Sequence, residues 1–254
     1  MKTVNYDKVA DGYDKRYKEA YKQNGIASKL LDLIHTVKAR RVLEVGCGTG
    51  HWLGLLQEYI HAIGIDLSHG MLQKAAMSNV ACLLVRGEAN CLPFAAQTFD
   101  VVFCVNAIHH FRSQSEFVVE AHRLLKPDGV LAVIGMNPHT GKDRWFIYDY
   151  FQGTYDADLC RYPSTRTISD WMKSVGFEQI TEQVAERLHY DKCTKNVLPL
   201  SKDFTSQLSL LTDVEYAKGI GRIKAAISKA KEAEEDIFFP VDISLTMVKG
   251  HAIK

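Results

Sequence analysis

Between residues 42 and 134 the hydrophobic period of the chain switches repeatedly, and this alternation restricts the possible folds more than any other feature. Val42–Val45, Ala62–Ile65, Cys82–Val85, Val101–Val105 and Val130–Ile134 are short apolar runs of strand length. The segments between them carry helical spacing, as in Trp52, Leu53, Leu56, Tyr59 and Ile60, or in Glu116–Leu125. Ser68 caps the helix after the second run, and Lys126-Pro127-Asp128-Gly129 reads as a stop and turn after Leu125. The runs are continuous rather than alternating, as expected when both faces of a strand are covered. Strands joined through helices imply right-handed βαβ units and an α/β fold with a doubly wound, mostly parallel sheet.

The flanks read differently. Tyr6 to Tyr21 has the pattern of a helix with a tyrosine stripe at Tyr6, Tyr13, Tyr17 and Tyr21, and a second helix is expected over Ile26–Val37. Residues 137–168 are rich in aromatics, and a helix near Ser169–Val175 and a strand near Phe177–Val184 follow. Residues 196–236 look helical and mixed in charge, and Val241–Val248 alternates like a last strand. No linker-like stretch cuts the chain. One domain over 1–254 is therefore expected: a helical cover at 1–40, a cofactor-binding core at 41–135, and substrate-lid insertions at 137–168 and 189–240.

Charge and cysteine usage narrow the setting. Lys plus Arg number 31 against 30 Asp plus Glu, a net charge of +1, which argues against a nucleic-acid-binding module. The six cysteines show no CxxC or zinc-like spacing, so no metal is expected and reduced thiols are. Met1–Lys8 has no apolar signal region, and the apolar runs are far shorter than the ~20 residues that span a bilayer. A cytoplasmic protein without membrane contact is expected, with the oligomeric state left open.

The chemistry concentrates after the first strand, in Glu44-Val45-Gly46-Cys47-Gly48-Thr49-Gly50. A glycine-rich strand-to-helix turn lets a ligand approach the backbone closely and meets it with helix N–H groups. A dinucleotide GxGxxG fingerprint fails here, because its third glycine is His51. Glu44 would repel a pyrophosphate but favour an ammonium or sulfonium group. Asp66 ends the second strand, where an acid accepts both hydroxyls of a ribose. An acid ending a buried strand needs a reason to be there, and ligand binding supplies one. Together these residues describe S-adenosylmethionine rather than NAD.

At this point the sequence resembles a known family. Val42–Gly50, Gly64–Leu67, Gly87-Glu88-Ala89 with Leu92-Pro93-Phe94, Phe99–Val102 and Leu124–Val130 match, in order and spacing, the class I S-adenosylmethionine-dependent methyltransferases. The ubiquinone/menaquinone-biosynthesis-like group, which methylates small molecules, looks most similar. The resemblance implies a seven-stranded Rossmann-like sheet with one antiparallel strand. It also implies that Gly46, Cys47 and Gly48 line the methionine moiety, with Glu44 near its amino group. Asp66 would hold the ribose, and Leu67 and Met71 would lie against the adenine. Gly87, Glu88 and Ala89 would read the adenine edge, Glu88 standing where Asp is usual. Asn106 would sit under the sulfonium, and Tyr13 and Arg16 of the opening helix would close over the cofactor. Trp52 and Met71 read as packing residues ahead of specific contacts.

Methyl transfer from a sulfonium is an in-line displacement, and a hydroxyl nucleophile also needs a base. His109-His110 follows the fourth strand, His110 being the better placed; both are equally readable as strand-ending packing residues. His139, His189 and Tyr155 are weaker candidates. Residues Asn106-Ala107-Ile108-His109 lack the Asn/Asp-Pro-Pro-aromatic signature of amino-methylating nucleic-acid enzymes. A small-molecule acceptor is the favoured reading. A protein or RNA acceptor, a NAD-binding oxidoreductase and a non-catalytic cofactor-binding protein are the alternatives.

Overall fold

The computed structural model describes residues 4–10, 25–78, 81–192, 197 and 200–254. One sheet organises them. Strands β1 (Arg41–Val45), β2 (His61–Asp66), β3 (Leu83–Arg86), β4 (Phe99–Val105) and β5 (Leu125–Met136) run parallel in the spatial order β3-β2-β1-β4-β5. Beyond β5, a two-residue strand β6 (Arg144–Trp145) and a long strand β7 (Phe177–Lys192) both pair antiparallel with β8 (Phe239–Ala252). β8 itself inserts between β5 and β7, with Val130 opposite His251 and Met136 opposite Leu245. The expected seven-stranded sheet with one reversed strand is present, and β6 is a short addition to it.

Ten α-helices are described around the sheet. They are α1 (Tyr6–Val9), α2 (Gly25–Thr36), α3 (His51–Leu56), α4 (His69–Met77), α5 (Gln114–Leu124), α6 (Phe146–Tyr150), α7 (Thr154–Arg161), α8 (Thr165–Ser174), α9 (Ser206–Ser209) and α10 (Asp213–Glu232). Alternation along β4 shows why its run is continuously apolar. Val101, Phe103 and Val105 pack with Leu30 and Ile34 of α2 and Trp52 and Leu56 of α3. Val102 and Cys104 join Phe117 and Ala121 of α5 on the opposite face. Each fully buried side chain of this size contributes about 1.5–3 kcal/mol by leaving water, so the two covered faces supply the main driving force for this sheet. No described helix is long and apolar enough to cross a membrane.

Several elements differ from the sequence expectation. The Lys126-Pro127-Asp128-Gly129 turn survives as a bulge inside β5: Phe99 pairs with Leu125, Val101 already with Val130, and Asp128 has φ 62°. β7 continues past Val184 to Lys192 because β8 offers pairing along its whole length, so residues 189–192 are sheet rather than insertion. Phe146, Ile147 and Phe151, expected in a lid, are buried in the main core with Phe239. The helical stretch read over 196–236 resolves into α9 and α10 among the described residues. Of the tyrosine-striped opening helix, Tyr6–Val9 is described; Tyr13 and Arg16 lie outside the described residues.

The connections place the site. From β1 the chain winds outward to β2 and β3, then returns to β4 on the other side of β1. Successive crossovers therefore leave in opposite directions, and a crevice opens at the carboxyl ends of β1 and β4.

Candidate active site

The turn after β1 is made by three glycines in the left-handed region, Gly46 (φ 75°), Gly48 (φ 54°) and Gly50 (φ 76°). The N–H groups of Gly46 and Cys47 both donate to the carbonyl of Ile65, at 2.8 and 3.1 Å, which ties the turn to the end of β2. A Cβ at position 46 would lie 2.6 Å from the Ala107 Cβ. Gly46→Ala is accordingly expected to lose about 2–3 kcal/mol of stability, combining backbone strain with overpacking. Urea unfolding measures this, and an unchanged midpoint would contradict the tight turn. The Cys47 side chain points away into a small cluster with Leu53, Ala62 and Leu72, and burial raises its thiol pKa well above normal. Only its backbone is left for a ligand.

Asp66 ends β2 with both oxygens engaged. Gly48 N donates to Oδ2 and Ser68 N to Oδ1, each at 2.8 Å. The acid is therefore not uncompensated, as the sequence suggested; it also shapes the turn it faces. Burial raises its pKa while these backbone donors oppose that rise. The Leu67 backbone N–H also acts on this carboxylate, and the four lone pairs of its two oxygens still leave acceptor capacity for a ligand hydroxyl.

Glu44 occupies the second turn-facing position and is 1% exposed. Its Oε2 is buried with no hydrogen-bond partner. Burial, reinforced by the Asp66 charge, raises its pKa well above the usual carboxylate range. An acid left in this condition is costly unless a cationic group completes it.

The end of β3 frames the side of the cavity where the adenine is expected. Gly87, Glu88, Ala89 and Arg86 line the cavity, and Gly87 N donates to the Asp66 carbonyl at 3.1 Å. A Cβ at Gly87 would meet Ile65 Cδ1 at 2.8 Å, so the glycine is needed for packing as well as for access. Met71 also lines the cavity but is fully buried against Ala10, so it packs and borders at once. Leu67 is 59% exposed, and its carbonyl accepts from Arg86 Nε.

The amino-terminal segment is fastened over this edge by a residue that sequence reasoning passed over. Asp7 Oδ1 accepts from Ser68 Oγ (2.7 Å) and Gly70 N (2.8 Å), and these bonds lower its pKa. The docking brings Tyr6 to the end of β4. There the Tyr6 hydroxyl lies 2.5 Å from His110 Nε2. The His109 ring sits between His110 (3.9 Å) and Tyr162, on which it stacks at 3.8 Å. Asn106, at φ 49°, turns the chain out of β4 beside them.

The remaining histidine and tyrosine candidates do not come to the site. His139 Nε2 contacts the Tyr162 carbonyl, Tyr155 donates to the Pro138 carbonyl, and His189 on exposed β7 faces Asp242. Sequence reading missed a buried polar group around Asp158, Arg161, Ser206 and Gln207. Its members are scattered over α7 and the chain before α10, with no spacing that links them.

All the described cofactor candidates border one cavity of about 580 Å³, which Tyr6, Asp7, His109, His110 and Arg161 also line. A left-handed glycine turn, an acid at the end of β2 and a buried carboxylate with one oxygen left without a hydrogen bond fit an S-adenosyl amino acid. A methyltransferase-domain family model matches residues 43–133. The malonyl-(acyl-carrier protein) O-methyltransferase of Dechloromonas aromatica is 31% identical over 139 residues, 54% of this chain. Matches of this kind span about half the length of the curated relatives. Among solved structures, the YcgJ protein of Bacillus subtilis superposes with a TM-score of 0.59 at 20% identity, covering 89% of this chain and 99% of that one. The phosphoethanolamine N-methyltransferase 2 of Haemonchus contortus, solved with phosphomonomethylethanolamine and S-adenosylhomocysteine, gives 0.58 at 17%, covering 98% of this chain and 58% of that one. The sheet order and the glycine turn agree with these matches, which together support a class I S-adenosylmethionine-dependent methyltransferase.

Proposed function

We propose that this chain transfers a methyl group from S-adenosylmethionine to a small-molecule acceptor. The observation that carries the reading is a pair of adjoining cavities. The larger holds the glycine turn, Glu44 and Asp66; a smaller one of about 120 Å³ shares Tyr6, Asn106, His109 and His110 with it. The shared residues stand where cofactor and acceptor would meet.

When bound, S-adenosylmethionine supplies an electrophilic methyl group on a sulfonium. Glu44 takes its ammonium, the backbone of Gly46 through Gly48 lines its amino-acid portion, and Asp66 accepts from the ribose hydroxyls. Glu88, Ala89 and Met71 border the adenine. Tyr13 and Arg16 remain proposed contacts from the opening segment. These groups fix the orientation of one reactant, and alignment is the main contribution an enzyme makes to a displacement.

His110 and Tyr6 manage the acceptor's proton. In the tautomer protonated at Nδ1, His110 Nε2 accepts from the Tyr6 hydroxyl. As the acceptor attacks, its proton passes to the Tyr6 oxygen and the tyrosine proton passes to His110. His109, stacked between His110 and Tyr162, positions the pair. A screen of small hydroxyl, amine and thiol acceptors, read by formation of S-adenosylhomocysteine, identifies the acceptor. With it, His110→Ala is expected to lower kcat by about 10²–10⁴-fold and leave S-adenosylhomocysteine affinity unchanged. Undiminished kcat would remove His110 from the chemistry. The division into cover, core and lid segments is part of the same proposal, with residues 189–192 and the buried aromatics of α6 reassigned to the sheet and the core.

A further inference from the structure

Strand register builds one wall of the smaller cavity. Along β8, Val241, Ile243 and Leu245 alternate onto one face of the sheet. Directly opposite residues share that face, which sets Tyr190 beside Val241, Leu188 beside Ile243, and Met136 of β5 beside Leu245. All six line the cavity and make its sheet wall largely apolar. Trp145 of β6, also opposite Val241, extends it.

A second wall comes from the chain before α10, where Phe204, Thr205, Ser206 and Gln207 line the same space. Lys192 borders it with its ammonium 4.5 Å from the centre of the Phe204 ring. The polar groups of this wall are engaged within the protein. Thr205 Oγ1 accepts from Leu208 N as the cap of α9. Ser206 Oγ accepts from Arg161 Nη2 at 3.3 Å, and Gln207 Nε2 donates to Asp158 Oδ2 at 2.7 Å and to the Tyr162 hydroxyl at 3.3 Å. Asp158 also holds Arg161 (2.5 Å) and Tyr148 Oη (2.8 Å). Buried polar networks rigidify what they join. This one joins the second wall to α7 and to Tyr162, whose ring lines the cavity and stacks on His109.

We propose that the smaller cavity is a rigid specificity pocket that takes a compact apolar group of the acceptor, no larger than one six-membered ring, and leaves its nucleophile at Tyr6 and His110. This assignment rests on the methyl-transfer reading above. The space is about 120 Å³, and an apolar protein cavity of about 150 Å³ takes up a single benzene ring. A fused or longer group would have to push the sheet wall apart, at the cost of overpacking. A strongly polar group would give up water against Leu188, Ile243 and Leu245 with no hydrogen bond in return.

The test is calorimetric titration of the S-adenosylhomocysteine-saturated protein with phenol, cyclohexanol, 1-naphthol and glycerol. At least one single-ring alcohol is expected to bind about tenfold or more tightly than both 1-naphthol and glycerol. Leu188→Phe fills the pocket and should weaken that binding by about tenfold or more. Leu188→Ala enlarges it and should raise the affinity for 1-naphthol by a similar factor. S-Adenosylhomocysteine affinity stays unchanged in both variants, which separates a reshaped pocket from general damage. Met136→Phe and Met136→Ala repeat the comparison if the Leu188 variants do not fold. Four results would overturn the proposal: no single-ring alcohol binding with a Kd below about 10 mM, 1-naphthol or glycerol binding as tightly, ring binding that survives filling of the pocket, or 1-naphthol affinity that enlargement does not raise. Should S-adenosylhomocysteine itself fail to bind, the cofactor reading fails separately, and the alcohols are titrated into the free protein under the same criteria.

Discussion

Asp66→Asn is expected to weaken S-adenosylhomocysteine binding by about 100-fold, the equivalent of roughly 2.8 kcal/mol. Two losses add to this figure. An asparagine has one oxygen in place of two, so one ribose hydroxyl loses a charge-assisted acceptor, a change of about 1.5–3 kcal/mol. The second loss comes from the protein itself. Gly48 N and Ser68 N each donate to a different Asp66 oxygen, so the new amide group must face one of them donor to donor. The Gly46–Gly48 turn, the proposed ligand cradle, is then no longer held as it was. Calorimetry on wild type and variant measures the change, with circular dichroism to establish that both are folded. Unchanged affinity would mean that Asp66 serves the turn alone.

Glu44→Gln is the second large effect, and it acts in opposite directions on stability and binding. The folded-state pKa of Glu44 is raised, so its contribution favours folding while the group is protonated and is lost as pH rises through that pKa. At pH 8 the empty wild-type protein therefore carries a cost that glutamine lacks. The variant is expected to melt about 3 °C higher, the shift that ~1 kcal/mol produces in a chain of this size. Binding responds the other way. A ligand ammonium favours the ionised carboxylate, so wild-type affinity is expected to rise with pH through the raised Glu44 pKa, with a proton released wherever the empty protein holds Glu44 protonated. Glutamine cannot ionise, and S-adenosylhomocysteine affinity should fall by about 10–100-fold with no proton release. Titrations in buffers of different ionisation enthalpy read the proton directly. An identical proton count for wild type and variant would show that Glu44 is not the amino-group partner.

The parts of this structure that could be read in the sequence are those with local causes. Continuous apolar runs give β1 to β5, and the position of the glycine turn follows from Gly46, Gly48 and Gly50. The full length of β7 could not be read, because its outer half is half-exposed and mixed in polarity and exists through pairing with β8. The bulge at Asp128 was hidden for a related reason: a turn sequence inside a strand is allowed only by its neighbour β4. Along the cavity wall, Glu44, next to last in β1, and Asp66, last in β2, could be picked out as acids in apolar strands. Asp7 and Lys192 could not, since each acts on a partner far along the chain: Asp7 on Ser68 and Gly70, Lys192 beside Phe204. The aromatic run at 145–155 misled for a physical reason. Aromatic residues near a site serve equally well as core, and Phe146 and Phe151 are fully buried.

The central claim is that the crevice at the ends of β1 and β4 is built for an S-adenosyl amino acid. Calorimetric titration of the purified chain with S-adenosylmethionine, S-adenosylhomocysteine and NAD tests it most directly. The account predicts one site for each sulfur compound, proton release on binding, and no heat with NAD. Binding of NAD with neither sulfur compound bound would contradict it.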